Sequence, residues 1–226
     1  MSEIENKIIE CASQLISLEG LSSFSFTKLA KMCCCSKSTL YSNFDSKEDL
    51  IIGIYIKKVD EIVAFNKCII ANPQFSAAEK LIMGCMYDVV RVAMDYKSSD
   101  RVSLIAATAQ IYQFASKHLL CRLKESLLAL NETFNQIEQE LVSNCNLKED
   151  RIHQALKTYR LQARGIVSCV SNKIYVENCI SSTIEELYDG FVSIIAPEII
   201  ENTSISFLDC FEIINKNLKN RCNTDI

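Results

Sequence analysis

The stretch FSFTKLAKMCCCSKSTLYSNFDSKEDL, residues 24–50, contains three serines that are candidate helix starts, Ser25, Ser36 and Ser46. Ser side chains are favoured N-caps because they accept a hydrogen bond from a backbone N–H that the first helical turn leaves without a partner. The first two serines therefore predict two short helices separated by only a few residues. Their inner faces are predicted to carry the apolar residues Leu29, Ala30, Cys33, Leu40 and Phe44.

Two short helices joined by so tight a turn predict a helix-turn-helix, in which the second helix exposes its outer face. The residues on that face are polar, or long enough to reach base edges and phosphates. They are Lys37, Ser38, Tyr41 and Ser42, with Thr39 and Asn43 flanking them. The pattern predicts that this segment contacts a polyanion. Thiol chemistry at the neighbouring cysteine triplet is the alternative function for the same segment.

A third helix is predicted to begin at Ser46, where the sequence S-K-E-D has the spacing of a capping box. The start of such a helix exposes backbone N–H groups and the positive end of the helix dipole, and Lys47 adds a full charge there. This helix start is therefore a candidate phosphate-binding site.

Residues 24–50 resemble the TetR family of transcriptional regulators. The positions in register with the family pattern are Leu29-Ala30, Ser36, Thr39-Leu40-Tyr41, Phe44, Ser46-Lys47-Glu48 and Leu50. The sequence departs from the pattern at two positions. Cys34 stands where the family usually has Gly, which is costly if the backbone there needs positive φ. Asn43 replaces a frequent His, which leaves the operator sequence open.

The resemblance implies a role for each matching residue. Lys37, Ser38 and Ser42 are expected to read bases in the major groove. The residues expected to hold phosphates are Tyr41, Lys47, Ser25 and Thr39; the predicted DNA-binding set also includes Lys28, Ser36 and Asn43. Three alternatives stay open. Tyr41 could be a packed aromatic side chain, Lys28 an ordinary solvated lysine, and Ser36 a cap rather than a reader.

The whole chain is predicted to be all-α, because only five Gly and two Pro interrupt 226 residues and apolar residues recur at helical spacing. After the N-terminal helix that stops at Gly20, and the segment above, helices are expected near 47–70, 75–96, 101–115, 117–144, 150–171, 181–196 and 205–219. The predicted domains are a three-helix helix-turn-helix DNA-binding domain over 1–47 and a larger helical regulatory and dimerisation domain over 48–226.

By the same resemblance, the protein is expected to be a homodimer through the helices near 150–171 and 181–196, with Gly165 at a close helix approach. The alternative is that these helices are buried within one subunit. A small-molecule effector is expected among the helices from about 50 to 165, beside bulky or polarizable side chains. The candidates are Met83, Met86, Tyr87, Met94, Tyr112, Phe114, His118 and Cys121. Each has ordinary core packing as its alternative.

The formal net charge is −4, which is unusual for a protein that binds a polyanion. Residues 22–47, however, hold four lysines and one aspartate, a local charge of +3 that leaves −7 for the rest. A small positive head on an acidic body limits non-specific DNA binding, because that binding follows local phosphate neutralisation.

The twelve cysteines include no C-x-x-C pair and no His at zinc spacing, so we expect reduced thiols that mostly pack as small hydrophobic side chains. Cys33 and Cys35 are expected to pack inward. Cys34 is expected to be exposed near Lys37, where a thiol would lean toward thiolate. A thiol-based redox or soft-metal sensor is therefore an alternative function, through Cys33, Cys34 and Cys35.

Other classes of protein lack support in the sequence. His118 and His153 are isolated in the sequence, so no nucleophile with a positioned base can be identified. We therefore predict no enzymatic activity, no cofactor and no metal site. A helical interaction scaffold would explain the apolar stripes but not the polar outer face. No run of about 18 uncharged apolar residues and no signal-peptide pattern is visible, so a cytoplasmic protein without a membrane span is expected.

Overall fold

The computed structural model describes residues 2–94, 109–145, 148–170, 180–195 and 205–222, and in these ranges the chain forms helices and no strand. The helices are α1 (Glu3–Glu19), α2 (Phe26–Cys33), α3 (Lys37–Asn43), α4 (Lys47–Ile70), α5 (Ala77–Met94), α6 (Ala109–Phe114), α7 (Lys117–Cys145), α8 (Glu149–Val170), α9 (Ile180–Ile195) and α10 (Phe207–Cys222). The all-α prediction is confirmed, and the predicted helices agree with the observed ones to within a few residues wherever both are described.

The ends of α1 follow from local chemistry. Ser2 and Glu5 form a capping box, in which the Ser2 hydroxyl accepts from Glu5 N and the Glu5 carboxylate accepts from Ser2 N. At the other end Gly20 takes φ 78°, and its N–H donates to the Ile16 carbonyl at 2.8 Å. Only glycine adopts such a backbone without a steric cost, so α1 ends where the sequence predicts.

The chain packs as two compact units. The first comprises residues 1–60 and 97–128, and so contains α1 to α3, the beginning of α4, α6 and the beginning of α7. The five residues predicted to point inward from α2 and α3 are all buried there, among them Leu29 and Leu40 at 0% exposure. Their core is shared with α1 and α4, and with Ile111, Leu119 and Leu123 of α6 and α7. The domain boundary at residue 47 stays a prediction, since this unit extends beyond it.

The second unit comprises residues 61–96 and 129–226. Helix α5 lies at its centre and packs against α8, α9 and α10. The apolar stripes predicted from the sequence contribute to this core Leu81, Cys85, Val89, Ile152, Leu156, Tyr159, Ile184, Leu187 and Phe191, and Val92 is buried as well. Each large aliphatic or aromatic side chain that is fully buried contributes roughly 1.5–3 kcal/mol. The side chains of Ile166, Val170 and Ile195 lie outside the described residues.

None of the helices in the described ranges combines the length and the apolar composition that crossing a membrane requires.

Candidate nucleic-acid interface

The two serines predicted to begin α2 and α3 do so. The Ser25 hydroxyl accepts from Lys28 N at 3.3 Å, and the Ser36 hydroxyl accepts from Thr39 N at 3.0 Å. Both serines have extended backbones, as N-cap residues do. The Ser36 hydroxyl also lies 2.7 Å from the Ser38 hydroxyl and 2.8 Å from that of Thr39. Ser36 is therefore a cap whose hydroxyl network orients its two neighbours.

The turn between α2 and α3 depends on Cys34, which takes φ 54° and ψ 41°. It is the one non-glycine residue with positive φ in the described part of the chain. This left-handed conformation lets Cys34 N donate to the Lys31 carbonyl at 3.2 Å and Cys35 N donate to the Ala30 carbonyl at 3.1 Å. Cys34 therefore has the positive φ at which a residue with a Cβ is costlier than glycine.

The outer face of α3 is polar and exposed. Lys37, Ser38, Tyr41 and Ser42 are exposed, while Thr39 and Asn43 are half-buried. Two side chains of this face also bond to their own helix: the Ser42 hydroxyl and the Asn43 amide donate to the Thr39 carbonyl at 2.9 and 2.7 Å. The face thus presents one ammonium, several hydroxyls and an amide on a seven-residue helix, which are the groups that read base edges in a major groove.

Tyr41 is partly packed and partly exposed. Its ring stacks on Phe26 with centroids 4.8 Å apart and planes 3° apart, yet the residue is 51% exposed. The packed-aromatic alternative therefore accounts for one face of the ring only. Stacking fixes the ring direction, so the phenolic hydroxyl is held at the surface where it can bond to a phosphate.

The beginning of α4 is capped as predicted, with one difference in partner. The Ser46 hydroxyl accepts from Asp49 N at 3.0 Å, but the Asp49 carboxylate accepts from Asp45 N at 3.1 Å, one residue earlier than a standard capping box requires. Its other oxygen accepts from Ser116 N, between α6 and α7, at 2.7 Å. Asp49 is fully buried. The bond of Asp49 to Ser116 could not be predicted from the sequence, because nothing local signals a partner 67 positions away.

Two lysines lie beside this surface in different settings. The Lys47 ammonium lies 5.7 Å from the centroid of the Phe24 ring, at the start of α4, as a cation–π contact allows. The Lys28 ammonium lies 2.5 Å from the Glu19 carboxylate, although its side chain is half exposed. Lys28 must loosen this ion pair to reach a phosphate, so Lys47 is the better placed of the two.

The predicted effector residues fall in both units. Met83, Met86 and Tyr87 are fully buried in the core of the second unit, where Tyr87 stacks on Phe65 at 4.4 Å. The other candidates lie on the first unit with exposed side chains: Tyr112, Phe114, His118 and Cys121. The Met94 side chain lies outside the described residues. The structure brings together only the first three as neighbours in one core.

Metal-binding geometry is not visible in the described ranges, which hold no group of three or more His, Cys, Asp or Glu side chains that could bind an ion. His153 lies 3.2 Å from the Glu138 carboxylate on the second unit, and His118 is exposed on the first.

Comparison with known proteins identifies the segment that carries this interface. Residues 8–54 match the family model described as bacterial regulatory proteins, tetR family. The match spans α1 to α3 and the beginning of α4, so the resemblance inferred from residues 24–50 is confirmed. Among curated proteins, no sequence matches the chain.

Solved structures of regulators share the fold. A transcriptional regulator FadR from Bacillus subtilis, in complex with stearoyl-CoA, is 20% identical with a TM-score of 0.57, covering 82% of this chain and 98% of its own. A TetR transcriptional regulator from Legionella pneumophila is 17% identical with a TM-score of 0.59, covering 84% and 97%. The fatty acid degradation regulator FadR from Bacillus halodurans is 18% identical with a TM-score of 0.59, covering 83% and 97%.

Proposed function

We propose that this chain, which carries the DNA-binding domain of the tetR family of bacterial regulatory proteins, is a dimeric repressor that a small-molecule effector releases from a palindromic operator. It is a DNA-binding transcriptional regulator; repression, dimerisation and release by an effector are the proposed parts. The observation that carries the proposal is the outer face of α3, where Lys37, Ser38, Tyr41 and Ser42 are exposed beside a capped turn.

The exposed side chains are proposed to make two kinds of DNA contact, to bases and to phosphates. Lys37, Ser38 and Ser42 lie on the exposed face of α3 and are proposed to contact bases. Tyr41 and Lys47 are proposed to hold phosphates, because both have their aromatic or cationic part anchored on a neighbouring ring. Ser25 and Thr39 are proposed to add phosphate contacts of lesser weight, since the Ser25 hydroxyl already accepts from Lys28 N.

A dimer is proposed through the outward faces of α8 and α9. Their inward apolar stripes are buried within one subunit, so the alternative of buried helices applies to those faces. The outward faces are left for a second copy. On the outward side of α8, Leu161 is 68% exposed, and one turn later no packing neighbour among the described residues lies within 4 Å of the position that a Cβ on Gly165 would take. Gly190 of α9 is equally open. An exposed Leu beside open glycines suits close helix approach by a second copy.

Release by an effector is proposed to use the second unit, where Met83, Met86 and Tyr87 are neighbours. Met side chains adapt to irregular apolar ligands. Helix α4 continues from the first unit into residues of the second, so a change at its end can reach its beginning next to α3. An effector must bind the released state more tightly than the DNA-bound state, because equal affinity shifts nothing. The stearoyl-CoA bound by the Bacillus subtilis protein makes long-chain acyl-CoA the first effector class to test.

The test is selection of bound duplexes from a random pool, followed by titration of the selected duplex by fluorescence anisotropy at several salt concentrations. We expect a palindromic site and a steep salt dependence. The double variant Lys37→Ala, Tyr41→Ala should lose at least tenfold in affinity with helicity unchanged. Lys124→Ala, an exposed lysine on α7, is the matched control.

A helical interaction scaffold is the rival reading, and the same titration separates it from the proposal. A scaffold would select no duplex above background, and the double variant would then behave as the wild type does. Equal affinity for every duplex in the pool would also contradict the proposed operator.

A further inference from the structure

Three cysteines that are separated in the sequence meet beside the turn that leads into α3. Cys33 is the last residue of α2, and the thiols of Cys11 on α1 and Cys35 after the turn lie close enough to influence its ionisation. All three pack in the core of the first unit. Cys33 is 1% exposed, whereas Cys11 and Cys35 are half-buried. We call these three residues the thiol cluster.

The members of the thiol cluster differ in reactivity. Burial raises the pKa of the Cys33 thiol, and the hydrogen bonds and charge of Cys11 and Cys35 raise it further. Cys33 therefore stays protonated near neutral pH and is a poor first nucleophile toward an oxidant. Cys11 and Cys35 are half-buried and pack against the core that holds Cys33, so an oxidant can reach either one from the solvent.

We propose that the thiol cluster is an oxidation site, at which a hydroperoxide converts Cys33 and one of its two neighbours into a disulfide that reversibly weakens DNA binding. The DNA-binding part of this inference rests on the proposed function. The oxidation site itself does not, since it is a property of the three side chains.

The chemistry proceeds in two balanced steps. The thiol of Cys11 or Cys35 loses its proton, and the thiolate attacks one oxygen of hydrogen peroxide; the O–O bond breaks and an S–O bond forms. The products are a sulfenic acid and hydroxide, which takes up the released proton to give water. The Cys33 sulfur then attacks the sulfenic sulfur, an S–S bond replaces the S–O bond, and a second water leaves with the Cys33 proton. Two thiols are oxidised by two electrons in total, and one peroxide is reduced.

A disulfide here would act on the turn. The S–S bond holds its sulfurs about 2.05 Å apart, much closer than two thiols in van der Waals contact, and it restricts the torsion between them. Cys33 and Cys35 flank Cys34, whose left-handed backbone sets the direction of α3. Side chains in a packed core leave no room for two cysteines to move together unless the surrounding residues shift. We therefore expect disulfide formation to displace the turn and α3, which follows it.

The experiment uses the full chain, reduced and then treated with hydrogen peroxide. Free thiols are blocked, the protein is digested without reduction, and linked peptides are identified by mass spectrometry. We expect either a peptide pair that joins Cys33 to Cys11 or a single peptide with an internal bond between Cys33 and Cys35, and fragmentation assigns the linked positions. Affinity for the selected duplex should fall at least tenfold on oxidation and return when dithiothreitol is added.

Cys33→Ala removes the proposed resolving thiol and keeps a small apolar side chain. It should form no such disulfide and should bind the duplex equally well before and after peroxide. If Cys33→Ala does not fold, the double variant Cys11→Ser, Cys35→Ser gives the same test. The matched control is Cys34→Ser, which changes the exposed thiol between the two and should still lose affinity on oxidation.

Three results would overturn the inference. One is oxidation that leaves Cys33 unlinked, and another is a mapped disulfide with unchanged duplex affinity. The third is full loss of affinity in Cys33→Ala on oxidation. If the reduced protein selects no duplex, the proposed function fails, while the peptide map still decides whether the thiol cluster is oxidised.

Discussion

Cys34 is held in a backbone conformation that disfavours any side chain with a Cβ. An L-residue in the left-handed helical region costs roughly 1–2 kcal/mol, and glycine avoids this cost but loses more entropy on folding. We therefore expect Cys34→Gly to raise the free energy of unfolding by about 0.5–1 kcal/mol. Urea denaturation followed by circular dichroism measures it.

Cys34→Ala separates the backbone effect from loss of the thiol, because alanine keeps the Cβ and loses only a weak contact of the sulfur with the Lys31 carbonyl at 3.8 Å. It should leave stability nearly unchanged. A gain equal to that of the glycine variant would show that backbone strain at this residue is not the cause.

Asp49 joins two parts of the first unit through one buried carboxylate, which accepts from Asp45 N and Ser116 N. Asp49→Ala leaves both donors without their charged partner, at a cost of about 2–4 kcal/mol in the free energy of unfolding. Asp49→Asn keeps one acceptor oxygen and should lose about half as much. Thermal and urea unfolding measure both variants.

Asp209 provides the control, because it accepts from Ser206 N and the Ser206 hydroxyl at the start of α10 but is exposed. Water replaces those bonds, so Asp209→Ala should have a much smaller effect. Equal losses at the two aspartates would mean that the link to Ser116 contributes nothing beyond ordinary capping.

At the residue scale, the sequence predicts contacts whose partners lie nearby in the chain. The caps at Ser25, Ser36 and Ser46 accept from backbone N–H groups three positions ahead. The second bond of Asp49 could not be predicted in this way. Its partner Ser116 is 67 positions away, and its approach depends on how α6 and α7 pack against the first helices.

At the scale of helices, Gly53 sets how closely α4 approaches its neighbours. A Cβ there would lie 3.0 Å from Cε1 of Phe44 and 3.1 Å from Cδ1 of Ile9, both almost fully buried. Gly53→Ala gains up to about 1 kcal/mol of helix propensity but crowds a packed core, which costs about 1–3 kcal/mol. We expect a net loss of about 1–2 kcal/mol, measured by urea unfolding.

The crowding explanation is tested by repeating Gly53→Ala in a Phe44→Leu background, where the aromatic Cε1 atom is gone. The cost of the alanine should then shrink. An unchanged cost would place its cause elsewhere, because a double-mutant cycle isolates the interaction of the two sites. Phe44 is the C-cap of α3, so Phe44→Leu alone should also weaken duplex binding, which fluorescence anisotropy would measure.

Helical periodicity predicts which face of each helix turns inward, but it does not predict which other helix packs against that face. The stripe on α5 through Leu81, Cys85 and Val89 is buried, as expected. Gly53 is different, because a lone glycine in a helical pattern does not show whether a neighbour lies against it. Gly165 is open in the subunit and Gly53 is crowded, although both are glycines within long helices.

At the scale of the whole molecule, the outer face of α3 could be predicted because its residues are contiguous in the chain. The grouping of the effector candidates could not be predicted, because they are spread along the chain. The outer face of α3 comes from one seven-residue helix, so its spacing alone places Lys37, Ser38 and Tyr41 on the same side. The effector candidates share only their residue type and are spread over more than thirty positions. Their division between two units follows from packing that residue type does not encode.

The proposed dimer makes a prediction about Leu161, the exposed apolar residue on α8. In an isolated subunit, Leu161→Glu exchanges one surface residue for another and should change the free energy of unfolding by no more than about 0.5 kcal/mol. If a second copy covers this face, the variant buries an unpaired charge from each subunit, which is strongly unfavourable. We expect the dimer dissociation constant, measured by sedimentation, to rise at least a hundredfold.

Duplex affinity should fall with the dimer, because one short recognition helix reads only a few base pairs and the second half-site is lost. Gln136→Glu adds the same charge to an exposed position of α7 and should leave both assembly and duplex affinity unchanged. Leu161→Glu that sediments as the wild type does would place the subunit contact away from this face of α8. A wild-type protein that sediments as a monomer and still binds a single half-site tightly would remove the dimer from the proposal, since one subunit would then supply the whole reading surface.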